Sequence, residues 1–200
     1  RDVRPPDREL RQQFSTLREG YVLCKKVHPM VWKVLQSIAG SSVQVLDGGL
    51  KTEESAQRKL KDEYGGDASR LKDLVRFSMI ADDPRHLIEI MNQLQNMQGW
   101  KMMSCKNKYA SPTPLGYRDL NTCFRVPLRN NYLLCEIQFH LKKVVEVKEK
   151  AHEFYENIRV ELPKICKGSA DQDKLQAYIK QRLDSSVLDA AVEKMEKKTE

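Results

Sequence analysis

An α/β (α+β) fold, with a mixed central sheet of about five strands flanked by helices and with helical additions at both ends, is predicted by three features of the sequence. Stretches with apolar residues at helical spacing are interleaved with stretches that alternate apolar and polar residues at period two. Clusters of Asp, Gly and Pro separate them. A strand, helix, strand succession between residues 74 and 105 is the unit from which layered α/β domains are built. The 200 residues, 40% apolar and 32% charged, suffice for one core but not for two comfortable ones.

Leu10, Phe14, Leu17, Tyr21 and Cys24 recur at steps of four and three, which predicts a helix from Arg8 to about Lys26. Pro29 is expected to start a second helix with Val31, Trp32, Leu35 and Ile38, ended by Gly40. After a short segment, Ser42 to Leu46, the run Asp47-Gly48-Gly49 is expected to break the chain. Thr52 then caps a helix carrying Ser55, Lys59 and Leu60. Leu74 to Ala81 reads as a strand, followed by Asp82-Asp83-Pro84 as cap and first helical position. The helix Arg85 to Met97 and the strand Trp100 to Cys105 complete the unit.

Two further strands, Tyr117 to Val126 and Tyr132 to Leu141, flank the hairpin loop Pro127 to Asn131. In the second, Leu133, Cys135, Ile137, Phe139 and Leu141 share one face, and Glu136, Gln138 and His140 the other. In the first, Leu120, Phe124 and Val126 oppose Tyr117, Asp119 and Asn121. A helix from about Lys143 to Val160 and a final helix through Leu175, Ile179, Leu183, Val187, Ala191 and Met195 follow, with Pro163 and Gly168 between them. The organisation expected is N-terminal helices over 1–41, a core over 42–162 and a C-terminal helix over 163–200, all within one structural domain.

Composition narrows the function classes. No apolar run reaches bilayer length and no signal-peptide pattern opens the chain, so a soluble, cytoplasmic protein is expected. Arg1 in place of a Met is what a piece cut from a longer protein would show. Five cysteines without CxxC spacing argue against a zinc cluster or a disulfide framework and for reduced, mostly buried thiols. A net charge of +7 favours an anionic partner, whether nucleotide, RNA or acidic protein. The amphipathic terminal helices suit a protein partner or a homo-oligomer.

Two readings of the strand face bearing Glu136, Gln138 and His140 stay open: an antiparallel sheet wetted on one side, or a functional site. The turn holding Pro112, Pro114 and Gly116 beside Tyr117 and Asp119 adds weight to the second.

The run Lys106 to Leu120, Lys-Asn-Lys-Tyr-Ala-Ser-Pro-Thr-Pro-Leu-Gly-Tyr-Arg-Asp-Leu, resembles the RelA/SpoT synthetase pattern in which a lysine and a proline precede Asn-Gly-Tyr and a Ser-Leu-His tail. Glu136-Ile137-Gln138-Phe139-His140 is similar to that family's Glu-Val-Gln-Ile-Arg strand. Lys51, Ser55 and Lys59 at steps of four resemble its phosphate-binding helix, Lys72-Asp73-Leu74 its Asp-Leu strand, and His152 its helical histidine. The matches keep their order from about Asp47 to Arg159.

The resemblance implies a nucleotidyltransferase-like fold and transfer of the β,γ-pyrophosphate of ATP to the ribose 3′-hydroxyl of GDP or GTP. It makes Asp73 and Glu136 the catalytic and magnesium-binding pair. Lys51, Ser55, Lys59, Lys106, Tyr117, Gln138, His140 and His152 become nucleotide-binding residues. Hard carboxylate oxygens suit Mg2+, lysines neutralise a triphosphate, and Tyr117 would stack on a base. Against this stand ordinary roles: a solvated helix face for Lys51 and Lys59, a half-buried sheet aromatic for Tyr117, a structural histidine for His152, helix packing or capping for His28 and His86.

The departures are specific. Gly49 and Ser78 stand where the family has arginines, Leu115 replaces the asparagine, Asn121 the histidine and His140 the arginine. Arg76 is not expected to compensate, because counting strand parity from Asp73 turns it away from the site. Three functions remain: a pyrophosphokinase acting on a guanine nucleotide, another nucleotide or a tRNA or RNA end; a non-catalytic nucleotide- or RNA-binding module; and a scaffold working through its helical ends.

Overall fold

The computed structural model describes residues 2, 5–6, 10–112, 117–129 and 131–147. Among them the chain divides into two compact units, Arg1–Asn107 with Asp119–Lys143, and Lys108–Arg118 with Val144–Glu200. The first carries three helices, α1 (Leu17–Ala39), α2 (Glu53–Glu63) and α3 (Pro84–Asn96). It also carries the strands β1 (Gln44–Leu50), β2 (Val75–Ala81), β3 (Lys101–Asn107), β4 (Leu120–Leu128) and β5 (Asn131–Leu141). These form one mixed sheet in the order β1-β2-β5-β4-β3, parallel only between β2 and β5. The expected α+β architecture with five strands is the one observed. Residues 142–147 have helical backbone, of which 144–147 belong to the second unit. The remainder of the helix expected to Val160, the final helix, Cys166 and His152 lie outside the described residues.

The N-terminal region is not the two helices expected. Thr16 accepts from the Glu19 N–H while the Glu19 carboxylate accepts from the Thr16 N–H, a capping box that starts α1 at Leu17. Leu10 and Phe14 are buried ahead of the helix, in irregular backbone. The helix then runs 23 residues through Pro29. Pro29 and Lys25 are both exposed, so the carbonyl that loses its N–H partner lies on the solvent side while Cys24, Val27, Val31, Leu35 and Ala39 bury without interruption. That stripe, with Leu87, Ile90 and Leu94 of α3, covers the sheet face formed by Val75, Phe77, Met79, Phe124, Ile137 and Phe139.

Asp47-Gly48-Gly49 does not end β1 but forms a bulge inside it, where the register against β2 shifts between Asp47 and Leu50. Gly49 takes φ 63°, and a Cβ on Gly48 would lie 2.9 Å from the Arg76 carbonyl oxygen. The β4–β5 hairpin is tighter than expected: pairing continues through Pro127↔Tyr132 and Leu128↔Asn131, residues that the expected loop Pro127 to Asn131 had included.

The opposite sheet face is not simply wetted. Leu134, on the same side of β5 as Glu136, is fully buried in a second cluster with Leu10, Met103 and Cys123. Gln12 seals this end: its amide donates to the carbonyls of Leu71 (2.8 Å) and Leu134 (2.9 Å) and accepts from the Leu134 N–H (2.9 Å). It thus substitutes for a neighbouring strand where β2 has not yet begun. Gln12→Ala strands three buried backbone groups, each worth about 1–3 kcal/mol; a loss of about 3 kcal/mol in urea unfolding is the expected result.

Cys24, Cys105, Cys123 and Cys135 are buried, unbridged thiols, as expected. Burial pushes Cys24 and Cys123 up to about 12, which removes them as nucleophiles at neutral pH. No helix among the described residues is long and apolar enough to cross a membrane.

Candidate functional site

The site assembles at the start of β2. Asp73 lies two residues before the strand and is buried. Lys51 follows β1 directly rather than sitting on α2, which Thr52 caps by accepting from the Ser55 N–H. Its backbone is tied down by its own N–H to the Leu74 carbonyl (2.9 Å) and by the Tyr21 hydroxyl on its carbonyl (2.6 Å). Lys59 comes from α2, one turn beyond Ser55. From these different elements both ammonium groups converge on one carboxylate oxygen, Asp73 Oδ2, at 3.0 and 2.9 Å.

Burial by itself would push the Asp73 carboxyl up, but Lys59 and then Lys51 outweigh it and hold it below the usual range. Burial likewise opposes the charge on Lys59, and Asp73 overrides it, leaving the ammonium raised. Both lysines are therefore engaged with an acid in the protein itself, where a solvated helix face or a free phosphate clamp were the alternatives. The other oxygen, Asp73 Oδ1, is buried and has no hydrogen-bond partner.

Glu136 stands on β5 opposite Arg76 of β2 on one side and Cys123 of β4 on the other. Burial raises its pKa; a hydrogen bond from Asn121 works against this, the Asp73 charge adds to it, and Lys59 and Arg76 oppose it. The two carboxylates thus sense one another while their pKa values move in opposite directions. Among the described residues no group of three or more His, Cys, Asp or Glu forms a metal cage.

Parity counted from Asp73 misplaced Arg76. Asp73 precedes the strand, so the two-residue alternation does not extend back to it; within β2, Val75, Phe77 and Met79 enter the core and Arg76 takes the face of its register partner Glu136. The signal was present in the sequence, since counting from the apolar residues 75, 77 and 79 returns the right face.

Among the described residues, the other expected ones fall on β5 (Gln138, His140), on β3 (Lys106) and in the second unit (Tyr117). Gln138 is in register with Ser78 and Asn121, and Asn121 in turn with Lys106. Lys106 is exposed on edge strand β3, three strand spacings or roughly 14 Å from β2. His140 is buried with Nε2 3.4 Å from Gln138 Oε1. Tyr117 belongs to the second unit, its ring under the Lys108 ammonium at 4.9 Å. Pro114, Leu115 and Gly116 lie outside the described residues. His28, apart from the site, stacks on Phe77 at 4.9 Å and bonds Asp47 at 2.8 Å, a packing role of the kind expected.

No protein-family model matches the chain, and no curated protein does. Solved structures do. Small alarmone synthetase 2 from Bacillus subtilis superposes with a TM-score of 0.60 at 19% identity, over 90% of this chain and 98% of that one. Small alarmone synthetase 1 from the same organism, bound to its product pppGpp, gives 0.58 at 16% identity over 92% and 97%. A chain from the complex between the Type VI effector Tas1 and its immunity protein gives 0.52 at 21% over 82% and 96%. The five-stranded mixed sheet with its flanking helices is therefore the fold of the small alarmone synthetases, the RelA/SpoT-like synthetase fold that this chain's motifs resemble.

Proposed function

We propose that this chain is a divergent pyrophosphokinase that moves the β,γ-pyrophosphoryl group of ATP to the ribose 3′-hydroxyl of a nucleotide, with guanine nucleotides first among the acceptors and an RNA 3′ end as the test's other arm. The observation that carries this reading is the pair Asp73 and Glu136, one carboxyl held ionised by two lysines and the other raised beside it. The shared fold supports it, since one of the structures with that fold holds pppGpp.

The residues fit a magnesium ion, because Asp73 Oδ1 is buried without a partner and Glu136 offers a second hard oxygen. Magnesium takes one or two carboxylates and fills its shell with phosphate oxygens and water. When bound it would neutralise charge on the transferred phosphates.

The protein's own part is positioning and proton transfer. Lys51 and Lys59, on a carboxylate at rest, are placed to meet the oxygens of a polyphosphate arriving beside Asp73. Glu136, raised by burial, takes the proton of the acceptor 3′-hydroxyl as that oxygen bonds to the β-phosphorus. The bond between the β-phosphorus and the α,β-bridging oxygen breaks, AMP leaves with that oxygen, and the acceptor keeps the pyrophosphate. Glu136 then returns its proton to solvent.

Incubation with γ-labelled ATP, magnesium and GDP, GTP, ADP, AMP or bulk tRNA tests the proposal. Labelled acceptor and unlabelled AMP are expected in equal amounts. No acceptor labelling above a Glu136→Gln control overturns catalysis. Binding of ATP without labelling would instead mark a nucleotide-binding module.

A further inference from the structure

We infer that Arg76 is a phosphate-binding residue of this site, placing the nucleotide's phosphates on the β2 side of Glu136; the inference rests on the pyrophosphokinase reading above. The β2–β5 register sets Arg76 directly beside Glu136 on the face away from the core.

Charge pairing singles it out. Lys51 and Lys59 both bond Asp73, whereas Arg76 has no carboxylate within ion-pair distance among the described residues. Its Nη2 donates instead to a neutral acceptor, the Gly48 carbonyl, at 3.0 Å, and its Nε is buried with no hydrogen-bond partner. An anion meeting the guanidinium supplies the charge partner that the protein withholds, and the planar fork of donors matches phosphate oxygens.

The setting is built for that side chain. The β1 bulge brings the Gly48 carbonyl to the guanidinium, and a Cβ on Gly48 would meet the Arg76 Cβ at 3.1 Å and its carbonyl oxygen at 2.9 Å. Asp47 holds the bulge from the other side, accepting from the Gly49 N–H at 2.7 Å and bonding His28 Nε2 at 2.8 Å. A bulge held in this way ties the guanidinium to the β1 side of β2, across that strand from Glu136, rather than leaving it loose in solvent.

The test uses the full chain and α,β-methylene ATP with magnesium, measured by calorimetry, together with steady-state transfer from ATP. Arg76→Ala is expected to weaken analogue binding roughly 10- to 100-fold and to raise KM for ATP more than it lowers kcat, as expected for loss of a charge-assisted contact. Arg76→Lys, which keeps the charge and guards against a folding defect, falls between. Melting temperatures within a degree or two of the parent separate a binding role from a structural one. If the parent binds and transfers while both variants match it in affinity and KM, Arg76 is removed from the site and the pyrophosphokinase reading stands. If the parent itself neither binds the analogue nor transfers label, that reading falls and Arg76's role falls with it.

Discussion

Glu136→Gln is expected to abolish the proposed pyrophosphate transfer and at the same time to raise the melting temperature at neutral pH. Both effects come from replacing one buried, ionisable carboxyl. Burial raises the carboxyl above its ordinary value of 4.5, and the Asp73 charge adds to this. A folded-state pKa above the unfolded one means that the fold favours the protonated form. The stability associated with it is complete below the unfolded value and is lost as pH rises through the raised one. At neutral pH the ionised Glu136 is therefore a standing cost to the fold, and a neutral amide of the same length relieves it.

The same substitution removes the proton acceptor, for which a loss of about 10²–10⁴ in rate is the expected scale. The acidic limb of the parent's pH–rate profile should lie above the ordinary glutamate range. Thermal melts of parent and variant should converge in acid and separate as pH rises. Transfer within a few-fold of the parent would remove Glu136 from the chemistry; a melting temperature lowered at neutral pH would contradict its electrostatic strain.

Asp73→Asn acts with the opposite sign on stability. It leaves two partly buried ammonium groups, Lys51 and Lys59, without their shared counter-charge, and removing one member of a buried pair costs more than the pair itself contributes. Allowing for partial exposure of the lysines, a loss of about 2–4 kcal/mol in urea unfolding at pH 7 is expected, together with loss of transfer.

The pH dependence distinguishes this from generic damage. The folded carboxyl lies below its ordinary value of 3.8, so its stabilisation is complete above that value and is lost as pH falls through the lowered one. Parent and variant should therefore differ most at neutral pH and converge in strong acid. Replacing both lysines, Lys51→Met with Lys59→Met, should leave burial unopposed and move the Asp73 carboxyl upward. Full stability in Asp73→Asn at pH 7 would show that the cluster contributes nothing to the fold.

The alternation of Leu133 to Leu141, the cap and proline at Asp83-Pro84 and the Thr52 cap are local signals, and each element they mark is present within a few residues. Local physics also marks Asp73, Lys51, Lys59 and Glu136 as chemically suitable residue types. Period and capping decide such features because they depend on neighbours three or four positions away.

What depends on distant contacts was set by the tertiary structure. Pro29 passes through α1 because its carbonyl partner faces solvent while the buried stripe continues on the other side. Asp47-Gly48-Gly49 remains in β1 because β2 lies within bonding reach of it. Leu134 and Gln12, 122 positions apart, close the sheet end that alternation left looking wet. At the site, residue identity alone says which side chains carry charge. The structure decided that Lys51 and Lys59 meet on one oxygen of Asp73, and that Arg76, counted out by parity, stands beside Glu136. Parity holds only within a strand, and where a strand begins is set by the pairing of its neighbours.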